Sequence, residues 1–173
     1  MSDTDWNEVI AKINGLLRRD PANGWTLLWD ADDAPWFGSF VSSLALAVGD
    51  EEIVYADGRL VENEDSSFVG DVVFFTAKAL VVGRVTGDRL SAYEVEREVR
   101  FYRRKELQLV SVSALANAFS REPFQDWPGR VDITVRYAPD VEIELPVNGR
   151  SSNPAVRNEL LALLASLRDQ ANS

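Results

Sequence analysis

The stretch "GDVVFFTAKALVVGRV", Gly70 to Val85, limits what this chain can fold into more than any other part of it. Val72, Val73, Phe74 and Phe75 follow one another without a polar residue, and Leu80, Val81 and Val82 do so again. A strand with one wet face alternates apolar and polar residues, because successive side chains point to opposite faces. These two runs do not alternate, so a hairpin built from them needs cover on both faces. The N-terminal helix described next is the first candidate for the outer cover, and a second subunit is the other.

Residues 5–19 read as that helix. Trp6, Val9, Ile10, Ile13, Leu16 and Leu17 recur at helical spacing, the Ser, Thr and Asp just upstream offer N-caps, and "DPANG" supplies the stop. Residues 153–171 read as a second helix, with Asn153 as N-cap, Pro154 in the first position and Val156, Leu160, Leu163, Leu164 and Leu167 in one stripe. Residues 25–147 read as antiparallel strands and turns. "WTLLW" places Trp25, Leu27 and Trp29 on one face, and "SFVSSLALAV" is taken as the next strand. Asp57-Gly58 is a strong two-residue hairpin signal, and "TGD" at 86–88 a further turn. In "LSAYEVEREVRFY", Tyr93, Val95, Val99 and Phe101 alternate with Glu94, Glu96, Glu98 and Arg100. "LQLVSVS" follows, and then "VDITVRY" and "VEIELPV" flank the turn at Ala138-Pro139-Asp140. Residues 114–129 lack a period and read as a loop with a helical turn, whose Phe119, Phe124 and Trp127 either anchor it to the core, the favoured reading, or meet a partner.

The 173 residues suit a single domain, 1–173, α+β and mainly β. Seven or more short strands closed by a long amphipathic helix suggest an antiparallel barrel or strongly bent sheet whose open end takes the leucine stripe. No signal-peptide pattern or membrane-spanning run is visible, and cysteine is absent, so a cytoplasmic protein without disulfides or thiolate metal sites is expected. The preponderance of 15 Arg over 3 Lys, with abundant Ala, Val and Leu, suggests a bacterial source.

The net charge is −10, and residues 1–70 carry all of the excess, with 14 acids against 4 bases. Such a field repels phosphate backbones and anionic lipid, so neither nucleic acid nor an anionic membrane is an expected partner. Histidine is absent, and no glycine-rich phosphate loop or nucleophile turn is present. Nothing singles out a catalytic pair among the carboxylates, so the chain reads as non-catalytic, with no cofactor and no metal. Asp30, Asp32 and Asp33 in "WDADDAPW" lack the glycine and terminal glutamate of a calcium loop. With Trp29 and Trp36 beside them, they form instead a candidate receptor for a cationic side chain, set against a plain reading as core tryptophans around a wet turn. Arg97, Arg100, Arg103 and Arg104, with Lys105, form a basic cluster interleaved with Glu94, Glu96, Glu98 and Glu106. The cluster reads either as a salt-bridged strand or as a patch for an acidic partner, including the acidic front of a second copy.

The hairpin "FFTAKALVV", an apolar run, Thr76, spacers and a second apolar run, resembles that of the bacterial pleckstrin-homology-like (PH-like) domains, and the likeness extends through "RKELQLVSV" to the last helix. The resemblance implies a seven-stranded, partly open barrel with a C-terminal capping helix, here with an extra N-terminal helix. It implies no catalytic residues. Phosphoinositide-binding members need Lys and Arg in the loop joining the first two strands. That loop, matched here to "DADDAPWFG", has three Asp and no base, so phosphoinositide binding is not expected. The implied function is a binding module for a protein partner or for a second copy. The alternative is a carrier of a small apolar ligand, its cavity lined by Trp25, Trp29, Phe74 and Phe75.

Overall fold

The computed structural model describes residues 4–27, 35–88, 94–114, 130–138, 141–147, 149 and 154–171. Helix α1 (Trp6–Arg18) begins one residue later than expected, because Asp5 is its N-cap: the Asp5 side chain accepts hydrogen bonds from the amides of Asn7 and Glu8 at 3.0 and 3.3 Å. Its end is closed by Asn23, whose side-chain amide donates to the Leu17 carbonyl while its oxygen accepts from the Trp25 amide. Gly24 between them has φ +81°, and a Cβ there would lie 2.1 Å from the Leu60 carbonyl oxygen, so only glycine fits. These local bonds turn Trp25–Leu27 into a short 3-10 helix instead of the expected strand. Trp29 lies outside the described residues.

"SFVSSLALAV" is the second correction. It is the body of helix α2 (Pro35–Val48), which buries Trp36, Phe40, Val41, Leu44, Ala45 and Val48. That spacing is helical, and Pro35 occupies the first helical position, where its missing N–H costs nothing. Strands β1 (Ile53–Glu62), β2 (Ser67–Thr76), β3 (Ala79–Asp88) and β4 (Glu96–Arg103) then form one antiparallel sheet in chain order. Strands β5 (Leu109–Ala114), β6 (Val131–Ala138) and β7 (Val141–Leu145) form a second. Helix α3 (Pro154–Ala171) follows. The fold is α+β and mainly β, and among the described residues its two sheets do not close into a barrel. No described helix is long and apolar enough to cross a membrane.

Two expected turns lie inside strands. Asp57-Gly58 sits in the middle of β1, where the buried Asp57 carboxylate accepts from the Tyr55 hydroxyl and from the amides of Gly58 and Val147 at 3.1, 2.8 and 2.5 Å. Those partners hold the dipeptide extended, and the β1–β2 turn falls instead at residues 63–66. "TGD" likewise continues β3, and the connection to β4 runs through 89–93, outside the described residues. So does the expected loop beyond Ala114, up to residue 129.

The cover of the hairpin is now explicit. Phe74 and Phe75 are both fully buried, but in different cores. Phe74, with Val72, Val81 and Val85, meets the layer of α1 and α2. Phe75, with Val73 and Leu80, meets β6, β7 and α3. The N-terminal helix contributes to the outer cover by packing on α2 and β1, whereas α2 lies over β3 and β4. The fully buried Trp25 stacks on Phe40 (5.8 Å between centroids, 13° between planes), with its indole against Gly58 and Gly70. On the other side α3 seats Val156, Leu160, Leu163 and Leu167 in the second core, with Leu164 half-buried at its rim.

Candidate functional site

The residues singled out from sequence separate on folding. Asp30, Asp32 and Asp33 lie with Trp29 outside the described residues. Trp36 is a core residue, stacked on Phe68 at 5.2 Å and 18°, and offers no face to a partner. Arg104 also turns inward: its guanidinium donates to the Thr76 carbonyl at 3.2 Å and to Ser166 Oγ at 2.9 Å, and its own amide donates to Lys78. It fastens the β2–β3 turn to α3. Thr76 shapes the same turn, accepting from the amides of Lys78 and Ala79 and donating to Glu51 at 2.5 Å. Burial works to raise the Glu51 pKa, but the Thr76 hydroxyl and the Lys78 ammonium, 2.9 Å away, outweigh it and hold the carboxyl below its usual value.

The remaining arginines are divided by strand parity. Arg97, Val99, Phe101 and Arg103 point to the helix side of β4, and Glu96, Glu98, Arg100 and Tyr102 to the other. Val99 packs on the first core, while Phe101, two residues on, is 65% exposed. The ring stands on the rim of a hollow of about 780 Å³ that also takes in Ala47, Lys78, Arg103 and Lys105. Arg97 reaches the Trp36 carbonyl at 3.5 Å, and Arg100 on the opposite face pairs with Glu98 at 2.7 Å. Strand β4 is bonded to β3 alone among the described strands. An exposed aromatic ring, a row of cations and an unpaired strand edge therefore coincide. Sequence alternation grouped Phe101 with the core residues Val95 and Val99. Arg103, the next residue on that face, is the one sign that the apolar face ends there.

A second cavity, about 830 Å³, opens between the two sheets toward the end of the β2–β3 ladder away from Thr76. Its floor is apolar, with Val73, Val82 and Ile133, and its walls are charged. Each named cation there has an acid beside it: Arg59 and Arg84 approach Asp71 at 3.9 and 3.8 Å, and Arg130 meets Asp132 at 2.9 Å. Exposed pairs of this kind contribute little stability, and with Arg100, Glu98, Glu142 and Glu144 also in the lining the acids outnumber the cations, so no positive charge is left over for an anion. The cavity expected for an apolar ligand is not formed by the residues named for it. Trp25 and Phe74 lie in one core and Phe75 in the other, with the sheet between them.

The turn joining the first two strands also differs in place from expectation. It is residues 63–66, with Glu64 and Asp65 and no base. Asp65 accepts from the amide and hydroxyl of Ser67, which hold its carboxyl below the ordinary value. Behind this face, Arg19 joins α1, α3 and β1 by pairing with Glu159 at 2.6 Å and donating to the Ala56 carbonyl. Nearby, burial raises the Asp57 pKa against the three donors that favour its charged form, and burial with the Asp57 charge raises that of Tyr55. This network is fully committed to holding the elements together. Among the described residues no group of three or more acids converges as a metal site would require. No protein-family model matches this chain, and comparison with curated proteins and with solved structures gives no match.

Proposed function

We propose that the chain is a cytoplasmic, non-catalytic interaction module of PH-like type that binds protein through the outer strand β4. The element order supports the family reading: a four-stranded meander, a three-stranded meander and a final helix seated between the sheets. The exposure of Phe101 on an unpaired edge carries the functional reading. Burying such a ring between Arg97 and Arg103 suits a protein surface, because aromatic and arginine side chains dominate protein contacts and an open strand edge supplies backbone donors and acceptors. A phosphoinositide headgroup is a poor fit, since the β1–β2 turn carries two acids and the chain a net charge of −10.

The test is affinity capture from the native cell with the wild-type chain, with Phe101→Ala and with Arg84→Ala in the inter-sheet cleft as control. The expected result is a defined partner retained by wild type and Arg84→Ala and lost by Phe101→Ala. Capture that ignores the β4 change and fails with the cleft change would move the binding surface to the cleft and refute this reading.

A further inference from the structure

We propose that the protein partner of β4 is the β4 strand of a second copy, paired antiparallel about Val99. This deepens the preceding reading, on which it rests, by naming the occupant of the edge. Strand β4 bonds on its inner side to β3, with Arg100 opposite Val82 and Arg97 opposite Val85. Among the described residues no strand bonds to its outer side, so its backbone offers a template for one more strand.

The order of charges along β4 decides what that strand is. A two-fold axis perpendicular to the sheet sets the copies antiparallel with matching faces, so residues on one face meet residues on the same face. A pairing centred on Glu98 sets two carboxylates against each other on the axis, although it also sets Glu96 against Arg100 twice. One centred on Arg100 opposes two guanidiniums and adds Arg97 against Arg103. Centred on Val99, Glu98 meets Arg100 twice, Arg97 meets Phe101 twice and Glu96 meets Tyr102 twice. No like charges then face each other, and opposite charges across strands attract while like charges repel. The Arg97 guanidinium also falls on the Phe101 ring, which supplies cover to the side chain left 65% exposed in the single chain. Of the three registers, only this one opposes no like charges.

Sedimentation of the full-length chain tests the proposal. Glu98 and Arg100 are both exposed, so Glu98→Arg and Arg100→Glu leave the fold intact, as circular dichroism will check. The wild type is expected to sediment as a dimer, and each variant as a monomer with its dimer dissociation constant raised about tenfold or more, because two attractive pairs become two repulsive ones. An equimolar mixture of the two variants is expected to recover the dimer, since the arginines at 98 and 100 of one meet the glutamates of the other. The Glu98–Arg100 pair within each chain stays broken on mixing, so recovery reports contact between chains only. A monomeric wild type, or a mixture that stays monomeric, overturns the proposal. If the wild type is monomeric while Phe101→Ala still abolishes capture, the second copy is refuted and the edge reading stands. If capture is also unaffected, both fall.

Discussion

Alanine at Gly83 and alanine at Gly38 are the same chemical change made below and on the exposed side of one helix. Gly83 lies in β3 under α2, and a Cβ there would stand 2.8 Å from Phe40 Cζ and 2.9 Å from Leu44 Cδ2. Both neighbours are fully buried, and Phe40 is held from behind by the stacked Trp25 ring, so neither can retreat cheaply. Overpacking of this kind costs about 1–3 kcal/mol. Gly38 sits on the exposed face of α2, with no atom within 4 Å of its added Cβ, and there alanine contributes about 0.5–1 kcal/mol by restricting the unfolded chain. In a chain of this length 1 kcal/mol moves the melting temperature by about 2–4 °C, so Gly83→Ala is expected to lower it by roughly 2–12 °C and Gly38→Ala to raise it by roughly 1–4 °C. Urea denaturation of the two variants checks both signs, with an unchanged m-value showing that the same surface unfolds. A neutral Gly83→Ala would refute the seating of α2 on β3. A destabilising Gly38→Ala would refute the helix itself.

Phe74→Ala and Phe75→Ala are each expected to cost about 3–5 kcal/mol in the same assay, since each ring is fully buried in a separate core. A near-wild-type result for either would mean that its face of the hairpin is not covered. Asp57→Asn replaces one of the two acceptor oxygens by an NH2 donor, so either the Gly58 amide or the Tyr55 hydroxyl and Val147 amide lose their acceptor, at an expected cost of about 1–3 kcal/mol at acidic pH. Because burial lifts the Asp57 pKa above 3.8, the folded state holds its proton longer than the unfolded one, so its stabilising share falls as pH rises from that value through the raised one. The gap between wild type and Asp57→Asn is therefore expected to narrow as pH rises through that window, and melting curves showing it widen would reverse the assignment. Vesicles containing phosphoinositide or other anionic lipid are expected to leave the protein in the supernatant, and salt-sensitive co-sedimentation would contradict the charge argument.

The two terminal helices, the β2–β3 hairpin and the β6–β7 hairpin were legible in the sequence because each is specified by neighbours in the chain. Asp5 caps α1 from the residue beside it, the leucine stripe of α3 repeats within its own turns, and Thr76 bonds to amides two and three residues ahead. The need for cover on both faces of Val72–Phe75 was legible too, since in a strand parity sends two of four consecutive apolar residues to each face.

What covers those faces was decided only by the tertiary structure. The last six residues of α2 read Ser-Leu-Ala-Leu-Ala-Val and imitate a strand. Its helical period appears only when the buried set starting at Trp36 is known. Asp57-Gly58 has the residues of a turn, yet lies extended because Val147, 90 positions away, donates to the carboxylate, and because the Trp25 indole occupies the space a side chain at 58 would take. Among the candidate site residues, the sequence showed that basic side chains cluster at 97–105 but not which of them meet solvent. Arg104 is drawn in by Thr76 and Ser166, while Phe101 is left out where the first core ends. Helical period and strand parity act over a few residues and can be read along the chain. Where a sheet ends and which layer lies on it depend on distant segments meeting, and only the packed fold determines that.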